Sequence, residues 1–166
     1  MIAGKTSAFN NGCSERKRRK RQLAPALFDL RQSAQSADHL FLMLKIYTYA
    51  QCSTCRNATK WLKQKAIGFH EIPIREQPPT REELASMLRA LETRGGSLRA
   101  LFNASGQDYR AMNLKEQLPA LSPEDAFALL SSNGNLVKRP FALDPSADIF
   151  LAGFNEEEWA RAFARQ

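Results

Sequence analysis

The stretch LKIYTYAQCSTCRNATKWL, residues 44–62, changes its structural period around a pair of cysteines. Leu44–Tyr49 is rich in β-branched and aromatic side chains and reads as a strand. After Cys52 and Cys55, the residues Ala58, Trp61, Leu62 and Lys65 fall at helical spacing, and Gly68 offers a stop. The two thiols therefore sit where a strand hands over to a helix. A metal site, a structural staple and redox chemistry are the uses such a pair can have.

Working outward, strands and helices alternate. Phe69–Ile74 reads as a second strand, and Pro73 suggests a sheet edge or a strand end. Thr80 and Glu83 form a capping box, followed by an apolar stripe of Leu84, Met87, Leu88 and Leu91. SLRALFN (97–103) and YRAMNL (109–114) read as short helices or turns. Ser122 caps a further helix with Pro123 at its first position and acids in its first turn. Leu136–Leu143 and Asp148–Phe154 read as strands joined by a turn at Asp144-Pro145, and Asn155 caps a last helix. The order is β-α-β, several helices, then β-β-α. That is the outline of an α/β thioredoxin-like fold with an inserted helical subdomain. In it the first strand lies in the sheet interior and delivers Cys52 to the start of the first helix.

At 166 residues the chain fits one compact domain with room for an extra segment, and an apolar fraction of 43% is enough for a core. No run approaches the roughly 20 apolar residues that span a bilayer. The formal net charge is +7, but residues 1–42 hold +5 of it (eight basic and three acidic residues), mostly in RKRRKR from Arg16 to Arg21. The remainder is close to neutral, which disfavours direct and specific nucleic-acid binding by the core. Residues 1–42 are expected to be a disordered basic extension or the product of an upstream start, with Met43 as a natural first residue. A nucleic-acid arm and an organelle address are the other readings of that segment. The domain is then 43–166. Three cysteines, with no secretory signal, argue against a secreted disulfide framework and for the reducing cytoplasm.

A cysteine at a helix N-terminus faces unpaired N–H groups and the positive end of the helix dipole, which favour thiolate over thiol. Arg56 and Lys60 add charge nearby, and such settings bring a thiol from about 8.5 to roughly 3.5–7.5. Cys52 is the candidate attacking thiol. Cys55, one turn along, can attack a mixed disulfide on Cys52 and is the candidate resolving thiol. A zinc centre needs about four ligands, and beyond this pair the core offers only His70, which reads as an exposed strand residue. No metal is expected. Two buried thiols packed as small hydrophobes are the remaining alternative. Cys13 has no evident partner.

YTYAQCSTCRNATKWL, SLRALFNASGQDYRAMNL, NLVKRPFAL and AGFNEEEWARAF together resemble the arsenate reductase family of glutaredoxin-linked type and its Spx-like relatives, from about Met43 to Phe163. The resemblance implies a thioredoxin fold with a helical insert. It implies a catalytic cysteine at Cys52 and oxyanion-binding arginines at Arg99 and Arg139, with Arg56 beside them. Pro140 resembles the family's proline beside the active cysteine, which is commonly cis. Helix N-terminal N–H groups and guanidinium forks suit an anion such as arsenate.

Three departures separate the chain from the arsenate reductases. Cys55 stands where the glutathione-dependent enzymes often have Ser, so an internal disulfide and a thioredoxin reductant become available. FLAGF (150–154) lacks the family's third oxyanion arginine, a loss of roughly 1.5–3 kcal/mol of anion binding. AGFNEEEW is closer to the Spx-like branch. Two functions are therefore expected. One is a cytoplasmic thiol oxidoreductase acting on arsenate, another oxyanion or a disulfide. It would bind no cofactor and be fed by glutathione, glutaredoxin or thioredoxin. The other is a redox-sensing regulator that binds RNA polymerase through a Cys52–Cys55 switch.

Overall fold

A computed structural model describes residues 43–164. The expectations for residues 1–42 lie outside the described residues. Four strands, β1 (Leu44–Thr48), β2 (Phe69–Pro73), β3 (Phe141–Asp144) and β4 (Ile149–Ala152), form one sheet in the order β2-β1-β3-β4. β1 pairs parallel with β2 and antiparallel with β3, and β3 pairs antiparallel with β4. The first strand is thus interior, as its sequence predicts. β2 is an edge strand, where Pro73 removes no needed ladder bond.

Helices cover both faces. α1 (Ser53–Gln64) follows β1 and α2 (Arg81–Glu92) follows β2. The insert then runs through a 3₁₀ turn (Leu98–Leu101), α3 (Gln107–Ala111), α4 (Leu114–Gln117) and α5 (Pro123–Ser132). α6 (Glu156–Phe163) closes the described region. Strand alternation sorts the core into two layers. Leu44, Ile46, Ala142, Ile149 and Leu151 pack with Ala58, Trp61 and Leu62 of α1 and Trp159 of α6. Tyr47, Phe141 and Leu143 face the other way, against Leu84, Met87 and Leu88 of α2 and the insert's Leu101, Phe102 and Leu130. Among the described residues no helix is long and apolar enough to cross a membrane.

The predicted caps form. Thr80 and Glu83 make the capping box, Ser122 accepts from the Asp125 N–H, and Asn155 accepts from the Glu158 N–H. Three boundaries stand out against expectation. α1 ends at Gln64 rather than running to Gly68, because Ala66 adopts φ 55° and the Ile67 N–H turns back to the Leu62 carbonyl. The predicted strand Leu136–Leu143 keeps only its second half. Leu136 accepts from the Asn103 N–H and the Lys138 N–H donates to Leu101, both at 2.7 Å, so this segment bonds to the insert. Pro140 then has no N–H to give a sheet neighbour, and the Arg139–Pro140 peptide is cis. β4 likewise stops at Ala152, where Gly153 takes φ +88° and its N–H reaches the Pro140 carbonyl at 2.7 Å.

Candidate active site

The chain leaves β1 through Tyr49 and Ala50 and tightens into a turn, in which the Cys52 N–H donates to the Tyr49 carbonyl at 2.9 Å. Cys52 is then the N-cap of α1, with extended backbone angles. Its sulfur accepts the Cys55 N–H at 3.4 Å, the place where a Ser or Asp oxygen usually caps a helix. No acidic residue occupies the first turn of α1, so the helix end keeps its positive potential for the sulfur.

The two thiols have opposite environments. Cys52 is half-buried and burial alone would push its thiol up. Hydrogen bonds from the Cys55 N–H and thiol, the charge of Arg139 and the Thr54 N–H outweigh this and hold it below its ordinary 9.0. Cys55 is 2% exposed. Burial first, then the neighbouring Cys52 sulfur, push its thiol up to about 12, against the opposing pull of the Tyr49 backbone and Arg139. The Cys55 N–H thus donates to a Cys52 sulfur whose surroundings favour the thiolate, while those of Cys55 favour the thiol.

Of the other expected residues, Arg139 brings its charge to both thiols, while Arg99 and His70 stand apart from them. Arg56 is exposed on α1 and donates to the Ala50 carbonyl at 2.9 Å, bracing the turn that precedes Cys52. Arg139 and Pro140 stand just before β3, in the segment alongside the end of β1. Arg99 is exposed on the 3₁₀ turn and shares an open groove with Lys138 and Ala152. Lys138 crosses Gly153, where an added Cβ would stand 3.1 Å from its Cε. A basic side chain therefore covers the FLAGF stretch that itself carries no arginine. Lys60 lies on the open outer surface of α1 with Thr59, Lys63 and Gln64. His70 is exposed on β2, and among the described residues no three His, Cys, Asp or Glu side chains gather into a metal-holding set.

Sequence reasoning missed Tyr49 and Arg75. The guanidinium carbons of Arg75 and Arg139 lie 4.6 Å and 5.0 Å from the Tyr49 ring centroid. The signal was available only through strand register, since neither arginine is near Tyr49 along the chain.

The model of the ArsC family matches residues 47–162, from β1 into α6 and across the whole cysteine turn. The chain belongs to the ArsC family. It is 40% identical over 123 residues to YusI of Bacillus subtilis (strain 168), a protein described as uncharacterized, covering 74% of this chain and 100% of YusI. It is 31% identical over 123 residues to the global transcriptional regulator Spx of Enterococcus faecalis, covering 74% of this chain and 88% of Spx. A solved ArsC family related protein from Bacteroides fragilis matches with a TM-score of 0.65 at 35% identity, over 72% of this chain and 96% of its own. These likenesses fix the ArsC-type, thioredoxin-like fold of the domain.

Proposed function

We propose that this ArsC family member is a thiol oxidoreductase of the reducing cytoplasm in which Cys52 attacks and Cys55 resolves. The observation that carries the reading is the capped Cys52 sulfur, half-buried, accepting from the N–H of a buried Cys55. With a disulfide substrate, the Cys52 thiolate displaces one sulfur as thiolate and keeps the other in a mixed disulfide. Cys55 then loses its proton, attacks the Cys52 sulfur and releases the second thiol, leaving a Cys52–Cys55 disulfide. With arsenate, the thiolate forms an S–As bond as a protonated oxygen leaves as water. A second thiol attacks the Cys52 sulfur, and the S–As electron pair passes to arsenic, releasing arsenite. If that thiol is Cys55, the internal disulfide results. If it is glutathione, a mixed disulfide on Cys52 results. Glutaredoxin or thioredoxin returns the pair to the dithiol, and the chain needs no bound cofactor.

Cys55 is the gating group of the second step. While Cys52 is a thiolate, its charge and hydrogen bond keep the Cys55 proton in place. Once Cys52 is bonded to sulfur or arsenic that charge is gone, and only burial still opposes ionisation. Arg139 offers a guanidinium to an oxyanion at Cys52, while Arg99 and Lys138 offer a second basic site in their groove.

A second reading has its own support in the Spx likeness, which covers 88% of that regulator. In it the same disulfide changes the α1 turn and biases a surface that binds RNA polymerase. NADPH consumption separates the two. Arsenate and a model disulfide are each supplied with the glutathione–glutaredoxin or the thioredoxin system. The oxidoreductase reading expects turnover that disappears with Cys52→Ser, and with Cys55→Ser survives only where glutathione can resolve. A Cys52–Cys55 disulfide that forms and is reduced, with no multiple turnover on either substrate, would reject the enzyme in favour of the regulator.

A further inference from the structure

Tyr49 takes no part in the steps above, yet both neighbours of the central strand aim a cation at it. On the β3 side, Tyr47 is the last ladder residue and pairs with Phe141. Two residues beyond that pair, just past the end of β1 and just before β3, stand Tyr49 and Arg139. The Arg139 guanidinium lies 5.0 Å from the Tyr49 ring centroid, a cation–π contact. On the β2 side, Thr48 pairs with Pro73, and the Ile74 N–H donates to the Thr48 carbonyl at 2.9 Å. The next residue, Arg75, places its guanidinium 4.6 Å from the same ring and donates from Nη1 to the Tyr49 hydroxyl at 2.9 Å.

The assembly is anchored on the helical insert. Arg75 Nε donates to Asn135 Oδ1 at 2.6 Å, and Asn135 Nδ2 donates to Asp108 Oδ2 at 3.0 Å. The Tyr49 hydroxyl donates in turn to Gln51 Oε1 at 2.8 Å, one residue before Cys52. Two guanidiniums on one ring repel each other, and the anionic Asp108 behind Asn135 offsets that repulsion on the Arg75 side. Among the described residues no side-chain hydrogen bond or ion pair engages Arg139, so the ring is its defined contact.

We propose that Tyr49 is a positioning residue that pins the Arg139 guanidinium beside Cys52, with Arg75 locking the ring from the opposite strand. The inference rests on Cys52 being the reactive thiol and assigns the residue that keeps its cation in place. An unpinned arginine spreads its charge over many rotamers, and a ring contact removes that freedom at small cost. Among the described residues, the charged or titratable groups at the Cys52 turn are Tyr49 itself, Arg139 from the β3 side, Cys55 within α1, and Arg56, whose guanidinium is held on the Ala50 carbonyl. Arg75 contacts Tyr49 directly, through its ring and its hydroxyl.

The test is a pH titration of thiolate absorbance near 240 nm on the reduced full chain. It compares wild type, Tyr49→Phe, Tyr49→Leu, Arg139→Gln and the Tyr49→Leu/Arg139→Gln double variant, with Cys52→Ser identifying the Cys52 step. Tyr49→Phe keeps the ring and is expected to stay near wild type. Tyr49→Leu is expected to raise the Cys52 midpoint by roughly 0.3–0.7 of a pH unit, the scale of a lost cation–π contact. Arg139→Gln raises it at least as much, and Tyr49→Leu adds nothing further in that background. A Tyr49→Leu midpoint equal to wild type, or a shift that adds in full to that of Arg139→Gln, overturns the proposal. Near-ultraviolet and far-ultraviolet dichroism report whether the leucine variant folds. If it does not, Arg75→Gln with Tyr49→Phe decides, since removing both locks must raise the midpoint in an Arg139-dependent way. Every variant carries Cys13→Ser, so that Cys55, lifted to about 12, is the one other thiol that titrates; a step below 9 that survives Cys52→Ser in that background would instead sink the reading of Cys52 itself.

Discussion

At the scale of single residues, the site turns on two thiols three positions apart with opposite proton affinities. Cys52 caps a helix and is held below its ordinary value of 9.0, while burial lifts Cys55 to about 12. Each shift is also a stability term with a definite sign. Below 9, the unfolded chain keeps the Cys52 proton that the folded chain has released, so stability rises with pH toward 9. From about 9 to about 12, the unfolded chain loses the Cys55 proton that the folded chain retains, so stability falls. Tyr47 acts in the same direction from its ordinary 10.0 upward, because burial and Glu83 both hold its proton. Urea midpoints of the reduced protein should therefore crest near pH 9. Cys52→Ser should flatten the rise below the crest, and Cys55→Ala should delay the decline until Tyr47 begins to contribute near 10. A midpoint that is level from pH 8 to 11 in the reduced wild type would contradict these assignments.

At the scale of elements, the sheet edge and the insert meet at Gly134. A Cβ there would stand 1.8 Å from the Ile74 carbonyl oxygen, and backbone rather than a flexible side chain would have to move. This approach brings Asn135 against Arg75 at the end of β2. Gly134→Ala should lower stability by roughly 1–3 kcal/mol as an overpacking change and should loosen the Arg75–Tyr49 contact. Thr80→Ala, which breaks only a cap, should cost about 1 kcal/mol and leave Cys52 chemistry untouched. Denaturant midpoints and Cys52 alkylation rates check both.

These elements also show what was legible in advance. Caps are local, so Thr80, Ser122 and Asn155 announced their helices correctly. Cys52 and Cys55 were legible because a strand, a turn and a helix follow within one short segment. The end of the predicted strand over Leu136–Leu143 was not, because its first half pairs with Leu101–Asn103, a choice made by tertiary contact. Tyr49 and Arg75 escaped for the same reason. Their meeting depends on the register of β1 against two strands that are distant in the chain.

At the scale of the whole molecule, the sheet separates two apolar layers and carries its chemistry at one end. α1 and α6 pack on one face through Trp61 and Trp159, and α2 and the insert pack on the other through Met87, Leu101 and Phe102. The Cys52 turn and the Arg75–Tyr49–Arg139 cluster sit where β1 leaves the sheet. The insert meets this end of the sheet through Asn135 and Arg75. The most direct test of the central claim is peptide-resolved alkylation of the reduced full chain by iodoacetamide as a function of pH. Cys52 should react already at neutral pH with a midpoint below 9, while Cys55 stays protected until Cys52 is capped. Equal labelling of the two cysteines, or a Cys52 midpoint at or above that of a free cysteine, would contradict the account.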